Sequence, residues 1–318
     1  MKTRITLFFT IVGLLILTFG AETKTNANSV AELGEELFMD TILSRDYTLS
    51  CGSCHIPEFA FSDTSAVSVG VDGQLGDRNT PSAMNMTARS SFFWDGRSAT
   101  LEEQALEPIK NPVEMDLSID SAIARLRANT YYNNSFIEIF GEAPNATNLA
   151  TALAEFERTL ETGSAFDRFM AGDSSAISAS AMRGQDVFNV KGKCFDCHLG
   201  PDFTGDEFRN IGTFDMQKYK DLGRFDATKD SADLGKFKVP GLRNIAVTGP
   251  YMHDGSFKTL REIIDYYNTP DDILPHAMNR DTLLREPLNL TEQEMVDLEA
   301  FMESLTADQF LHLIPKKD

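Results

Sequence analysis

The stretch Cys51-Gly52-Ser53-Cys54-His55 decides the class of this sequence, and a second copy follows at Cys194-Phe195-Asp196-Cys197-His198. The two stretches contain all four cysteines of the 318-residue chain. The pattern C-x-x-C-H signals attachment of a c-type haem, because its two thiols can form thioethers to the two vinyl groups of one haem. The histidine then ligates the iron. The sequence therefore predicts two covalent haem c groups, held by Cys51, Cys54, Cys194 and Cys197, with His55 and His198 as iron ligands.

Three other interpretations of the cysteines fit less well. A zinc site with four Cys ligands usually has its two pairs about 15–20 residues apart, whereas here the spacing is 194 − 54 = 140. A structural disulfide within C-x-x-C does not explain a histidine after both copies. A thioredoxin-type redox pair needs a βαβ context, and the sequence shows no such pattern.

The two halves of the chain resemble each other around these motifs. Trp94-Asp95-Gly96 precedes Thr100-Leu101-Glu102-Glu103, and His253-Asp254-Gly255 precedes Thr259-Leu260-Arg261-Glu262, at a constant offset of 253 − 94 = 159. Gly34-Glu35-Glu36-Leu37-Phe38 and Gly184-Gln185-Asp186-Val187-Phe188 each indicate the start of an amphipathic helix leading into a Cys motif. Such a repeat predicts two similar domains.

Apolar residues recur at helical spacing over much of the chain, which predicts helices over 104–109, 118–128, 147–162, 259–267 and 291–306. Thr291 and Glu294 form a capping box at the start of the last helix. The loops between them, such as 62–91 and 200–236, are long, but a haem supplies much of the apolar interior in a cytochrome c domain. We therefore predict an all-α fold of two cytochrome c-type domains, 21–172 and 173–318, joined through a linker at 171–180.

The N-terminus predicts an export signal over residues 1–20. Lys2 and Arg4 precede an apolar run over 5–19, and small residues follow at Gly20 and Ala21. The run is short for a membrane span, which needs about 20 residues; an uncleaved anchor is the alternative. Removing 1–20 changes the formal charge from −19 to −19 − 2 = −21. The sequence therefore predicts a periplasmic location.

The acidic charge also bears on partners. A strongly negative chain repels nucleic acid and anionic membrane surfaces, so we expect neither as a partner. A protein partner would be basic or neutral at its contact face. The alternative is that the charge serves solubility alone.

The repeat also predicts how the two irons differ at their sixth position. Candidate ligands in the C-terminal half are Tyr267, Tyr266 and Met278. The residue that corresponds to Tyr267 is 267 − 159 = 108, which is Pro108. Proline has no side-chain donor atom. If Tyr267 ligates the second iron, the first iron is open to a substrate while the second only transfers electrons.

Polar side chains flank Pro108 in the sequence. Gln104 lies one helical turn before it, and Glu114 follows in Asn111-Pro112-Val113-Glu114-Met115. A carboxylate over an open iron can move a proton between the two oxygens of peroxide. The alternatives are a solvated loop acid for Glu114, a helix-surface residue for Gln104 and a core aromatic for Trp94, the only tryptophan. We interpret His253 as structural or as supporting the site, and His276 and His312 as surface residues.

The chain resembles the bacterial di-haem cytochrome c peroxidase family, including its MauG-like branch, over essentially all of the segment after residue 20. Besides both C-x-x-C-H sites, the matching motifs are Arg78-Asn79-Thr80-Pro81, Phe93-Trp94-Asp95-Gly96-Arg97, Glu103-Gln104-Ala105-Leu106, Asn111-Pro112-Val113-Glu114-Met115, Val239-Pro240-Gly241-Leu242-Arg243-Asn244 and Pro250-Tyr251-Met252-His253-Asp254-Gly255.

The resemblance implies a peroxidatic N-terminal haem and an electron-transfer C-terminal haem. It implies that Gln104 and Glu114 serve the peroxide pocket, and that Trp94 relays electrons between the haems. It implies a calcium ion between the domains, held by the Asn79 side chain and the carbonyls of Thr248 and Pro250. Similar enzymes are periplasmic homodimers that receive electrons from a small c-type cytochrome or a copper protein.

Two features depart from the well-studied peroxidases of that family. Those enzymes carry a removable histidine on the peroxidatic iron about 15–20 residues after the haem motif, whereas residues 56–197 of this chain contain no histidine. They also place methionine where this chain has Tyr267. Both departures are typical of the MauG-like branch, in which tyrosine ligates the second haem.

Three functions follow from these patterns. The first is reduction of hydrogen peroxide with electrons from a small redox protein. The second is a MauG-like reaction, in which peroxide oxidises residues of a partner protein. The third is a di-haem electron carrier without catalysis, which predicts two six-coordinate irons and conflicts with Pro108.

Overall fold

Helices make up most of the regular structure in the computed structural model, which describes residues 27–315. The helices are α1 (Val30–Met39), α2 (Leu101–Lys110), α3 (Ile119–Ala128), α4 (Thr130–Phe140), α5 (Ala146–Thr159), α6 (Ala165–Met170), α7 (Ala179–Asn189), α8 (Phe225–Thr228), α9 (Leu260–Asn268), α10 (Pro270–Ile273) and α11 (Glu292–Glu303). Two short strands, β1 (Phe208–Arg209) and β2 (Phe237–Lys238), pair antiparallel. The predicted all-α fold is confirmed. The predicted export signal at 1–20 lies outside the described residues.

Hydroxyl side chains at the N-caps fix where several helices begin. Thr100 Oγ1 accepts from the backbone N of Glu103 at 3.1 Å, and Thr259 Oγ1 accepts from Glu262 N at 3.1 Å. Such a bond satisfies one of the N–H groups that the first turn leaves unpaired. The capping box of Thr291 and Glu294 is confirmed, and it opens α11. All five predicted helices form, with ends shifted by a few residues.

The repeat in the sequence is a repeat in the structure. An isolated antiparallel bridge joins Phe92 to Ser98, and its counterpart joins Tyr251 to Phe257, both at the offset of 159. Each bridge closes a tight turn that leads into α2 or α9. These turns hold the Trp94 and His253 motifs in corresponding places.

In each half, the helix before the Cys motif packs closely against the last long helix of that half. Helix α1 contacts α5, and α7 contacts α11. A Cβ added at Gly34 would lie 1.9 Å from the carbonyl oxygen of Ala152, and one added at Gly184 would lie 1.9 Å from that of Asp297. Only glycine allows both helix pairs to approach this closely. We call Gly34 and Gly184 the clasp glycines.

The two main hydrophobic cores divide near the middle of the sequence. The first takes its residues mainly from the segment up to Leu160, and the second begins at Phe166 in α6. Phe310, in the 3₁₀ helix Asp308–Leu313, packs back on the first core. We placed the domain boundary at residue 172 from the composition of the linker. Helix α6 lies before that boundary, but its residue Phe166 belongs to the second core. The boundary itself stays a prediction.

A partly buried ion pair, Arg78–Asp221, and a backbone hydrogen bond from Lys238 to Trp94 join the two halves. Arg78 donates to both carboxylate oxygens of Asp221 at 2.7 and 2.8 Å, and to Asp95 at 2.7 Å. Lys238 pairs with Asp206 at 2.5 Å, and its backbone N donates to the carbonyl of Trp94 at 2.8 Å. Because such charges are shielded from water, each pair fixes the relative placement of the elements that carry it.

Among residues 27–315, no helix is both long and apolar enough to cross a membrane.

Candidate active site

One continuous cavity of about 1390 Å³ connects the two Cys motifs. It exceeds the roughly 300–1,000 Å³ of a typical site for a single ligand. Cys51, Cys54 and His55 line one part, and Cys194, Cys197 and His198 line another. The cavity therefore has room for more than one large prosthetic group, with one attachment motif for each.

The first motif is presented on a 3₁₀ turn over Cys51–Ser53. The backbone N of His55 donates to the Cys51 carbonyl at 2.9 Å, which closes the turn. His55 Nδ1 lies 3.1 Å from the carbonyl oxygen of Phe61. Because a carbonyl only accepts, Nδ1 carries the proton and Nε2 keeps its lone pair for iron.

The second motif repeats this arrangement on the turn Cys194–Asp196. His198 Nδ1 lies 2.8 Å from the carbonyl oxygen of Phe203, and the backbone N of His198 donates to Cys194 at 2.8 Å. Burial lowers the pKa of both His55 and His198. Each imidazole is therefore held neutral and in the tautomer that a proximal iron ligand requires.

The four thiols also fit covalent attachment. All are free of disulfides. Burial raises the pKa of Cys51 and of Cys194 to about 12, so neither is a ready thiolate in its own right. Formation of thioethers would replace the four thiols by uncharged sulfur atoms, which suit the apolar lining of the cavity.

The predicted peroxide residues Gln104 and Glu114 both line the cavity, as does Pro108. Gln104 Oε1 is buried and has no hydrogen-bond partner within residues 27–315. Leaving a buried amide oxygen without a hydrogen-bond donor costs free energy. The Gln104 oxygen is therefore suited to accept a hydrogen bond from a molecule bound in the cavity.

The carboxyl of Glu114 is half-buried in the lining of the same cavity. Its Oε1 accepts from Asn111 Nδ2 at 2.8 Å. Burial raises the pKa of Glu114, although the Asn111 bond and the Arg97 charge oppose the rise. A carboxyl with a raised pKa changes its protonation state at less acidic pH, which suits a group that both accepts and returns a proton.

Trp94 lies between the two halves and is bonded to both. Its Nε1 donates to the carbonyl oxygen of Asn79 at 2.8 Å, and its own carbonyl accepts from Lys238. The backbone N of Asn79 in turn donates to the His253 carbonyl at 2.7 Å. Trp94, the predicted electron relay, therefore lies at a point of contact between the two halves.

His253 is buried, and its ring stacks on Phe237 with ring centroids 3.7 Å apart. It lines the cavity beside Arg78 and Asp221, consistent with a supporting residue. His276 and His312 are exposed, as predicted.

The three candidate iron ligands of the C-terminal half lie in different surroundings. Tyr267 lines the cavity, and burial raises its pKa, with smaller contributions from Tyr266, Cys194 and Cys197. Tyr266 is fully buried outside the cavity and donates its hydroxyl to the carbonyl of Ile211. Met278 is 42% exposed at the surface. Of these three, Tyr267 alone is among the residues that line the cavity, and its ligand role stays a prediction.

The residues predicted to hold calcium, Asn79, Thr248 and Pro250, all line the cavity. Asn79 is 6% exposed, and its Nδ2 donates to the carbonyls of Ser65 and Ala66 at 3.1 and 3.2 Å. Its amide oxygen is therefore turned away from those carbonyls.

One acidic residue of the cavity was missed in the sequence. Glu157 on α5 is 7% exposed and lines the cavity near Cys51. Burial raises its pKa to about 8, because Arg158 beside it only partly offsets the loss of water. The signal was present, since Glu157 follows Leu153 by four residues and so lies on the buried face of an amphipathic helix.

Comparison with known proteins agrees with this geometry. The family model described as "Di-haem cytochrome c peroxidase" matches residues 28–175, and the one described as "Cytochrome c" matches 181–306. The methylamine utilization protein MauG of Methylorubrum extorquens is 38% identical over 89% of this chain and 80% of its own. The cytochrome c551 peroxidase of Nitrosomonas europaea is 36% identical over 91% of this chain and 83% of its own.

Among solved structures, a MauG-like protein associated with microbial copper homeostasis superposes with a TM-score of 0.80 at 32% identity, covering 90% of this chain and 93% of that one. Two haem c groups, each attached through one Cys motif, follow from the two matched domains. The chain belongs to the di-haem cytochrome c peroxidase family.

Proposed function

We propose that this protein reduces hydrogen peroxide to water with two electrons from a small c-type cytochrome or a copper protein. The observation that carries the proposal is the difference between two positions that correspond in the repeat and that both line the cavity: Pro108, which has no ligand atom, and Tyr267, which lies near Cys194 and Cys197. Pro108 would leave an iron bound by His55 open at its sixth position, and Gln104 and Glu114 line the same cavity. Each haem, when bound, supplies a redox-active iron.

The side chains at the open site have separate tasks. The Glu114 carboxylate accepts a proton from one peroxide oxygen and returns it to the other, which lets the O–O bond break with water as the leaving molecule. The buried Gln104 oxygen accepts a hydrogen bond from peroxide and orients it. Trp94 lies on the path along which electrons pass between the halves.

A MauG-like reaction is the second candidate, and Tyr267 is the observation that favours it. An anionic phenolate ligand favours ferric iron over ferrous iron, which suits the oxidation of residues on a partner protein more than reduction by a high-potential donor. A plain electron carrier needs two closed irons, and Pro108 offers no ligand atom for one of them.

The resting spectrum of the holoprotein separates these possibilities. We expect one high-spin, five-coordinate or water-bound haem and one low-spin haem in electronic and spin-resonance spectra, and we expect a reaction with peroxide without prior reduction. Peroxide turnover supported by a reduced cytochrome then distinguishes the peroxidase from the MauG-like enzyme. Two low-spin six-coordinate irons at rest would contradict both enzymes and favour the carrier.

We further propose that the protein works in the periplasm as a homodimer and binds one calcium ion per chain. Calcium takes oxygen ligands at about 2.3–2.6 Å, and the Asn79 amide oxygen with the carbonyls of Thr248 and Pro250 provides that chemistry. Asn79 also bonds to Trp94 and to the His253 backbone. Calcium at Asn79 would therefore stabilise the contact between the halves.

We expect chelation of calcium to lower peroxide turnover several-fold, because releasing Asn79 loosens the hold on Trp94. The measurement is turnover before and after treatment with a chelator, with metal analysis of the purified protein. Calcium should restore the activity, and magnesium, which demands a tighter octahedral geometry, should not. A protein that contains no calcium and is indifferent to chelators would lack the site.

A further inference from the structure

The loop 68–76, which runs from Ser68 to Gly76, forms a small closed hairpin, and both of its ends line the cavity. Gly76 N donates to the Ser68 carbonyl at 2.9 Å, and Gly70 N donates to the Gln74 carbonyl at 2.7 Å. An isolated bridge pairs Val69 with Leu75. These bonds give the loop a defined shape of its own.

This loop is fastened to the segment that carries Glu114. The backbone N of Val71 donates to the carbonyl oxygen of Glu114 itself at 2.9 Å. Gln74 Nε2 donates to the Pro112 carbonyl at 3.0 Å. Arg45 adds a third link, because its guanidinium pairs with Asp72 on the loop and, at 3.1 Å, with Asp116 just after Glu114.

Gly70 is the point of closest approach between the two segments. A Cβ at this position would lie 2.0 Å from the Val113 carbonyl oxygen and 2.9 Å from the Glu114 Cα. The backbone of Gly70 is extended, with φ −89° and ψ −169°, so any residue can adopt it. Glycine is needed here for space alone, and the neighbouring atoms are backbone that a larger residue must push aside.

The other side of Glu114 is fixed as well. Its backbone N donates to the Asn111 carbonyl at 3.0 Å, and its side chain accepts from Asn111 Nδ2. The loop 68–76 therefore fixes the backbone of Glu114, and Asn111 holds its carboxyl. We propose that Gly70 and the rest of the loop 68–76 position Glu114 and thereby set the distance between its carboxyl and bound peroxide. The proposal rests on the proposed function of Glu114.

The test uses the Gly70→Ala holoprotein. A displacement near 1 Å can cost about 100-fold in rate, so we expect kcat for peroxide to fall about 10- to 100-fold with KM changed little. A second measurement needs no turnover: the rate at which hydrogen cyanide binds to the resting ferric protein. Hydrogen cyanide must give up a proton on binding, so this rate should fall with that of peroxide. The matched control is Gly141→Asn at the end of α4, because Gly141 lies outside this loop, has φ +74°, which Asn tolerates, and has open space around its Cβ.

A double-mutant cycle separates positioning from general damage. If Gly70 acts through Glu114, Gly70→Ala should cost little further activity in a Glu114→Gln background. Equal losses in both backgrounds would overturn the proposal. If Glu114→Gln alone leaves turnover and cyanide binding unchanged, it is the proposed function that fails.

Arg45→Gln provides a surface variant if Gly70→Ala does not fold. It removes both ion pairs but keeps the bond from the Arg45 backbone N to the Met115 carbonyl, at 2.8 Å. We expect a loss of about three- to ten-fold in both rates, absent in the Glu114→Gln background. Unchanged rates in Arg45→Gln would count against the loop as a positioning element.

Discussion

Replacing Glu114 by glutamine is expected to lower peroxide turnover by about 10²- to 10⁴-fold while both haems stay attached. This is the usual contribution of general acid–base catalysis. Glutamine keeps the size of the side chain and its capacity to accept from Asn111, but it cannot take up a proton from peroxide. The measurement is steady-state turnover, with haem content followed by absorbance after denaturation.

The pH profile gives a second readout of Glu114. The carboxylate must be ionised to accept a proton, and burial raises its pKa. Activity in the parent should therefore be lost as pH falls through that raised pKa, and this acid limb should be missing in Glu114→Gln. Glu155→Gln is the control, because Glu155 is a half-exposed partner of Arg158 on α5 and lies outside the cavity. A Glu114→Gln protein within a few-fold of the parent would make Glu114 an ordinary loop acid.

Tyr267→Phe has the second large expected effect: one haem should lose its low-spin signal while the other is unchanged. Phenylalanine fills the same space in the wall of the cavity but has no oxygen to offer the iron. Because an anionic ligand stabilises the ferric state, we also expect the reduction potential of that haem to rise. Spin-resonance spectra and a spectroscopic redox titration measure the two effects.

The neighbouring candidates provide the controls for Tyr267. Tyr266→Phe removes only the hydroxyl that donates to Ile211, and Met278→Leu changes an exposed side chain. Neither should alter the low-spin signal. If Tyr267→Phe leaves the spectrum unaltered and Met278→Leu removes a Met–iron absorption band, the axial ligand is Met278, and simple peroxide detoxification becomes the better description.

Much of the molecule could be predicted because short-range patterns encode it. The C-x-x-C-H motifs fix both attachment turns, and the offset of 159 places the bridge at Phe92 and its counterpart at Tyr251 in the structure. Helices with a hydroxyl N-cap, such as α9 and α11, begin within one residue of the predicted start. In each case the deciding residues lie within a few positions of one another.

Three features could not be predicted from such patterns, each for a different reason. Helix α4 was missed because Asn129 both ends α3 and caps α4, so that the two helices leave no visible loop between them. Glu157 was missed because an acid in an amphipathic helix is ordinarily assigned to the solvated face. The space requirement at Gly70 is set by Val113, 43 positions later in the chain (113 − 70), and a single sequence contains no mark of that contact.

The clasp glycines have a consequence for how the mature protein is made. Because α1 closes on α5 at Gly34, and α7 on α11 at Gly184, each attachment motif is enclosed by helices of its own half. Maturation can therefore proceed as two separate events, and neither half needs the other to close its helix pair. We expect a chain that has received a single haem to contain one ordered half, with peroxide chemistry arising only when the second half docks and the Arg78–Asp221 ion pair forms.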